Sequence, residues 1–208
     1  MQTLVADHPL VAHKLTTLRD VQTETPTFRR LTDELVTLLA YEATRHIKVE
    51  PVSVTTPVAV ADGVRLARPV PLVVPVLRAG IGMLDGMTRL LHSADVGFVG
   101  LARDEQTLVA STYATRLPVD LTGRDAFVLD PMLATGGSAA QALDMIKEAG
   151  GTDPRFVCVV AAPEGVKVVE ERHPEVQIFA AALDDGLNDK AYIVPGLGDF
   201  GDRLFGTG

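Results

Sequence analysis

The chain has no tryptophan, a single cysteine and few aromatic residues, which make up 5% of its 208 positions. One cysteine, Cys158, cannot build a disulfide framework, so a stapled secreted scaffold is excluded and a reducing cytoplasm is expected. Positive charge is also scarce. Lys and Arg number 19 against 27 Asp and Glu, a formal net charge of -8. That balance disfavours nucleic acid or an anionic membrane as a partner held by long-range attraction. No apolar run is long enough to span a bilayer, and Met1 opens a polar stretch without a signal-peptide core. The five histidines show no ligand spacing, so no protein metal site is assigned. G-x-x-x-x-G-K-[ST] is missing, which removes the ordinary P-loop kinase. There is no internal repeat, low-complexity tract or linker, so one domain over residues 1–208 is expected.

What is present is an ordinary globular composition, 47% apolar and 22% charged, patterned as alternating strands and helices. Helical spacing of leucines runs from His8 to Arg45 with a break near Pro26. Val52 to Val60 alternates around proline and threonine and predicts a short strand. Strands are then expected at Leu72–Val76, Val96–Leu101, Phe127–Asp130, Phe156–Ala161 and Val176–Ala181. Helices are expected at Met83–Leu91, Ser138–Ala149 and Val166–Arg172. Strands separated by helices imply a mainly parallel sheet covered on both faces, with ligands beyond the carboxyl ends of its strands. Residues Ala102 to Pro118 are polar and without a steady period, a length typical of lids. Arg78, Arg103 and Asp130 each follow a different strand and should share one rim.

The stretch Asp130-Pro131-Met132-Leu133-Ala134-Thr135-Gly136-Gly137-Ser138 carries the most chemistry. An acidic residue leaves a buried strand, and a small-residue loop opens a helix. Helix N-termini leave N–H groups unpaired and favour anions. Gly136 and Gly137 let backbone approach a phosphate, Thr135 and Ser138 add hydroxyls, and Asp130 suits sugar hydroxyls. The predicted ligand is therefore a sugar bearing a phosphate. Arg78 beside Gly80 and Gly82 can hold an anion in its fork, although a surface ion pair is the plain alternative. Arg103-Asp104-Glu105 reads either as a solvated charged loop or as the root of a closing lid. In the tail, Gly196, Gly198 and Gly201 match G-x-G-x-x-G, but too little chain follows for a dinucleotide fold. An extended glycine backbone reading the edge of a flat heterocycle is the functional alternative. Cys158 reads as a core residue, and Asp184 to Asp189 as a turn rather than a cation loop.

Together these segments resemble the uracil phosphoribosyltransferases, a branch of the type I phosphoribosyltransferases. The resemblance covers nearly the whole chain. It runs from His8-Pro9-Leu10-Val11 and Leu39-Ala40-Tyr41-Glu42-Ala43-Thr44 through Val76-Leu77-Arg78-Ala79-Gly80 and Asp130 to Ser138. It continues in Val160-Ala161-Ala162-Pro163-Glu164-Gly165 and ends in Tyr192 to Asp199 and Gly201-Asp202-Arg203. Pro131, where the wider class carries a second acidic residue, points to the uracil branch.

The resemblance implies an α/β fold with N-terminal helices, a central mainly parallel sheet, a β-hairpin-like lid and a C-terminal base-binding hood. It implies transfer of phosphoribosyl from 5-phosphoribosyl 1-diphosphate (PRPP) to uracil, giving UMP and diphosphate, with Mg²⁺ arriving on the diphosphate. By the same resemblance Asp130, Pro131, Met132, Leu133, Ala134, Thr135, Gly136, Gly137 and Ser138 hold PRPP. Arg78 and Arg103 hold its diphosphate, and Asp199 lies between base and sugar. Ile193, Gly198, Asp199 and Phe200 read uracil. Phe200 stands where relatives more often have a small residue, which predicts a tighter pocket or an outward ring. Tyr113 and Arg116 receive no role. A homodimer or higher homo-oligomer is implied, and GTP is an activator of some relatives. A nucleic-acid-binding regulator on the same fold, or a transferase for another base, are the competing readings; the acidic balance and the intact tail favour the uracil enzyme.

Overall fold

The computed structural model describes residues 3–103 and 110–207. Strand β1 (Thr3–Val5) is followed by helices α1 (Pro9–Arg19) and α2 (Thr25–Ala43). Pro26 stands in the first turn of α2, where a missing N–H costs nothing, so it begins that helix rather than interrupting it. Strands β2 (Val49–Thr55) and β3 (Val60–Leu66) pair as an antiparallel hairpin, longer than the single short strand expected there. Then come β4 (Leu72–Leu77), a 3-10 turn over Ala79–Met83, α3 (Leu84–Leu90), β5 (Asp95–Val96) and β6 (Phe98–Arg103). Strand β7 (Ala110–Arg116) follows, with β8 (Asp125–Leu129), β9 (Met132–Leu133) and α4 (Gly137–Glu148). The chain closes with β10 (Asp153–Ala161), α5 (Pro163–Arg172), β11 (Gln177–Leu183), β12 (Gly186–Leu187), β13 (Ile193–Val194) and α6 (Phe200–Phe205).

Among the described residues, nine strands make one sheet in the order β1-β11-β10-β8-β4-β6-β7, with β5 and β9 paired to β4 and β10. Every pairing is parallel except that of β6 with β7. Side chains alternate between two cores, as a two-faced parallel sheet requires. Val73, Phe127, Leu129 and Val157 face the layer of α1, α2, α3 and α6. Leu72, Val74, Val128, Phe156 and Cys158 face α4 and α5. This double burial is why the strands read as unbroken apolar runs. Helix α2 buries Phe28, Leu31, Leu35, Leu39 and Ala43 on one stripe at three- and four-residue spacing.

The polar stretch after Ala102 contains β7, which pairs antiparallel with β6. The expected hairpin is therefore present, although its alternation was too weak to read as a strand. Residues 104–109 and the side chain of Arg103 lie outside the described residues.

Candidate active site

Asp130 follows β8 directly and is half-buried at the carboxyl end of the sheet. Pro131 and Leu133 tie the next residues to β10. Their carbonyls accept from Val159 at 2.9 Å and from Ala162 at 2.9 Å, and Met132 and Leu133 pair with Val160 and Ala161. Of the phosphate-loop candidates, Pro131 and Leu133 are thus buried anchors. Ala134, Thr135, Gly137 and Ser138 are half-exposed at the mouth of α4. Gly136 is the N-cap of α4 with φ 79°. It has no side chain to occupy the first-turn N–H groups. A Cβ there would lie 2.7 Å from the Gly165 carbonyl oxygen, so only glycine lets the loop rest on α5.

Arg78 leaves β4, the strand next to β8, with Pro75 in register with Leu129. The Leu77–Arg78 peptide is cis. Gly80 lies against the Leu129 carbonyl, and Gly82 lies under the Leu204 side chain of α6. One short turn therefore touches both the end of β8 and the C-terminal helix. Arg78 is exposed, and with Asp199 it lines a cleft of about 560 Å³. That volume suits a small-molecule ligand. Tyr113, Asp202, Phe205 and Thr207 line the same cleft. None of these four was assigned from sequence. Tyr113 sits on the unread strand β7, Asp202 and Phe205 belong to a C-terminal helix that reads only as a glycine-rich tail, and Thr207 follows that helix.

The tail is not extended throughout. Asp199 caps α6, its Oδ1 accepting from the Asp202 N–H at 2.8 Å. Gly198 (φ 81°) and Asp199 are exposed, whereas Ile193 and Phe200 are buried. The Phe200 ring packs edge-on against Phe28 with centroids 5.1 Å apart. It therefore neither narrows the cleft nor faces outward; it belongs to the core under α2. Only the backbones of Ile193 and Phe200 remain for a ligand.

The candidate phosphate loop and the tail are mechanically connected. A Cβ on Gly165 would lie 2.7 Å from the Leu133 carbonyl oxygen, so α5 begins against the loop. The neighbouring Glu164 accepts from the Leu187 N–H at 3.1 Å, and Leu187 pairs with Ile193. From the other side, Arg203 donates to the carbonyls of Leu18 at 2.5 Å and Leu197 at 2.8 Å, and its guanidinium stacks over Phe28. Burial lowers its pKa, though the group stays cationic.

Asp199 and Asp202 offer hard carboxylate oxygens in the cleft that holds Arg78. Among the described residues no group of three or more His, Cys, Asp or Glu is gathered for a metal ion. Such a donor set fits a cation that draws most of its ligands from diphosphate and water. Cys158 is fully buried, and burial followed by the charge of Asp130 pushes its thiol pKa far up. It is a core residue.

A mainly parallel α/β sheet with a small-residue loop opening a helix beyond its carboxyl end, a cleft lined by Arg78 and Asp199, and a C-terminal cap defines a type I phosphoribosyltransferase fold. Solved structures agree. A protein of Aquifex aeolicus superposes with a TM-score of 0.93 at 40% identity, covering 99% of both chains. The adenine phosphoribosyltransferase of Trypanosoma brucei, solved with AMP, pyrophosphate and ribose-5-phosphate, gives 0.57 at 14% identity, over 95% of this chain and 87% of that one. The uracil phosphoribosyltransferase family model matches residues 5–207, and the chain belongs to that family. The uracil phosphoribosyltransferase of Kineococcus radiotolerans is 61% identical over the whole of both chains. That of Streptomyces avermitilis is 60% identical over 100% of this chain and 99% of its own.

Proposed function

We propose that this chain transfers the 5-phosphoribosyl group from PRPP to uracil, releasing diphosphate and forming UMP. The observation that carries the proposal is the shared cleft of Arg78 and Asp199, bounded by the turn that packs on the end of β8. Ala134 to Ser138 bind the 5′-phosphate through helix-terminal N–H groups and hydroxyls. Asp130 accepts from the ribose hydroxyls. Arg78 and Arg103 bind the diphosphate. As the anomeric bond breaks, negative charge grows on the leaving group, and fixed guanidinium groups stabilise it. Phosphoribosyltransferases generally use Mg²⁺ with PRPP; the ion would be held near Asp199 and Asp202 and would neutralise diphosphate charge.

Uracil is read by backbone groups between Ile193 and Phe200. Its O2, N3–H and O4 edge runs acceptor, donor, acceptor. Cytosine reverses part of that edge and leaves buried groups unpaired, at about 1–3 kcal/mol each. The β6–β7 hairpin covers the cleft and excludes water that would hydrolyse the activated sugar. The whole site belongs to one domain in a cytoplasmic enzyme. The exposed Val54, Val58, Val60 and Val64 of the β2–β3 hairpin support a homodimer or higher homo-oligomer, checked by light scattering. Resemblance to relatives extends the proposal to GTP as an activator, read as a faster rate when GTP is added.

Turnover with uracil, cytosine, hypoxanthine and adenine, at fixed PRPP and Mg²⁺, tests the reading. UMP and diphosphate should form with uracil at a rate far above that of every other base. A faster purine, or no nucleotide from uracil, would overturn it.

A further inference from the structure

The proposed base-reading turn is fastened by an ion pair to which the reaction gives no part. Asp184, just after β11, has a side chain only 3% exposed. Arg19, the last residue of α1, meets it with both fork nitrogens. Nη1 donates to Oδ2 at 2.8 Å and Nη2 to Oδ1 at 2.5 Å. The same Nη1 donates to the Gly196 carbonyl at 2.7 Å, and the Gly196 N–H donates to Asp184 Oδ2 at 2.9 Å. Both backbone polar groups of Gly196 are therefore held by one pair. Gly196 is itself left-handed, φ 60°, and a Cβ there would strike the Ile193 carbonyl. Gly198 and Asp199 follow two and three residues later.

Backbone donors and acceptors reject a mismatched base only if they cannot swing away to other partners. A bidentate arginine on a buried carboxylate is a stiff anchor for such a turn. A solvent-exposed pair would not be. We propose that Arg19 and Asp184 are positioning residues for base recognition. They hold Gly196, and through it Gly198 and Asp199, in the register that fits uracil. The inference rests on the reading that the tail from Ile193 to Phe200 forms the base site. It links that site to the first helix of the chain, 165 residues away from Asp184.

The test compares Arg19→Met, Arg19→Lys and the double variant Arg19→Met with Asp184→Leu. The double variant removes both charges, so that no lone buried carboxylate is left, and the unfolding midpoint checks that it is folded. For each, KM is measured for uracil and for PRPP, with the uracil-to-cytosine ratio of kcat/KM and the unfolding midpoint. In Arg19→Met, KM for uracil should rise about tenfold, the size of one lost hydrogen bond, and in the double variant by at least as much, with KM for PRPP within about twofold. The uracil-to-cytosine ratio should fall. Arg19→Lys should lie between these and the wild type. Unchanged uracil KM in the folded double variant, or an equal rise in both KM values, overturns the inference. Gly198→Ala separates it from the reading beneath it, because a side chain at φ 81° strains the turn directly. If Gly198→Ala raises uracil KM and the Arg19 variants do not, only the positioning role fails. If Gly198→Ala also leaves uracil KM unchanged, the tail is not the base site.

Discussion

Asp199 carries two duties that one substitution can separate. Its carboxylate lines the cleft, and its Oδ1 caps α6. Asparagine caps a helix as well as aspartate does but brings no charge. Asp199→Asn should therefore fold with an unchanged thermal midpoint while kcat falls by at least about 10², the loss expected for one charge-stabilising group. Near-normal turnover would remove Asp199 from the chemistry. At this scale the sequence reveals residue types better than orientations. Asp130, Arg78, Gly136 and Asp199 stand out because glycine and charge beside a strand end have few structural uses. Phe200 does not reveal its direction, since only the partner Phe28, far away in the chain, decides that its ring is buried. Arg19 and Asp184 are unreadable for the same reason: each looks like an ordinary surface charge until the fold joins them.

At the scale of elements, the proposed phosphate loop depends on how closely α5 approaches it. Gly165 sits against the carbonyls of Ala134 and Leu133, and a methyl group there must push backbone aside. Gly165→Ala should raise KM for PRPP by about tenfold or more, since misplaced binding groups lose affinity steeply. An unchanged PRPP KM would mean that the loop tolerates the displacement. The N-terminal helices are tied by Glu34 of α2, which accepts from Lys14 of α1 and from Arg30 at 2.9 Å. The bond from Lys14, then that from Arg30, holds its carboxyl below the ordinary value of 4.5. A lowered pKa stabilises the fold above the ordinary value and is lost as acid protonates the group. Melting curves of wild type and Glu34→Gln should therefore differ at neutral pH and converge well below pH 4.5. A constant gap across pH would exclude the ion pair as its source. Strands and helices of the sheet are legible because double burial and helical spacing leave strong periods. The β6–β7 hairpin, solvated on one side and polar, leaves almost none.

For the whole molecule, the proposed site and a stabilising charge cluster occupy opposite ends of the sheet. The carboxyl ends of β4 and β8 carry Arg78 and Asp130, whereas the amino ends of β8 and β10 carry a charge cluster with a buried Arg155–Asp125 pair at its centre. Arg155 lies 3.3 Å from Asp125 and 3.2 Å from Asp153, with its guanidinium 5.2 Å from the centre of the Phe127 ring. Both members of the Arg155–Asp125 pair are 4% exposed. Arg155→Ala would leave Asp125 buried without its cation, at about 3–5 kcal/mol. Chemical denaturation should show that loss, while kcat and both KM values of the folded fraction stay unchanged. A catalytic defect in folded protein would contradict this division. The sequence exposes the division only in part, because cluster and site are built from the same residue types and differ only in which strand end they occupy.

The most direct test of the account is a crystal structure with UMP bound. It predicts the 5′-phosphate on the N–H groups of residues 134–138, the ribose hydroxyls at Asp130, and the uracil edge on the backbone between Ile193 and Phe200. A phosphate seated elsewhere, or a uracil ring without contact to that backbone, would contradict it.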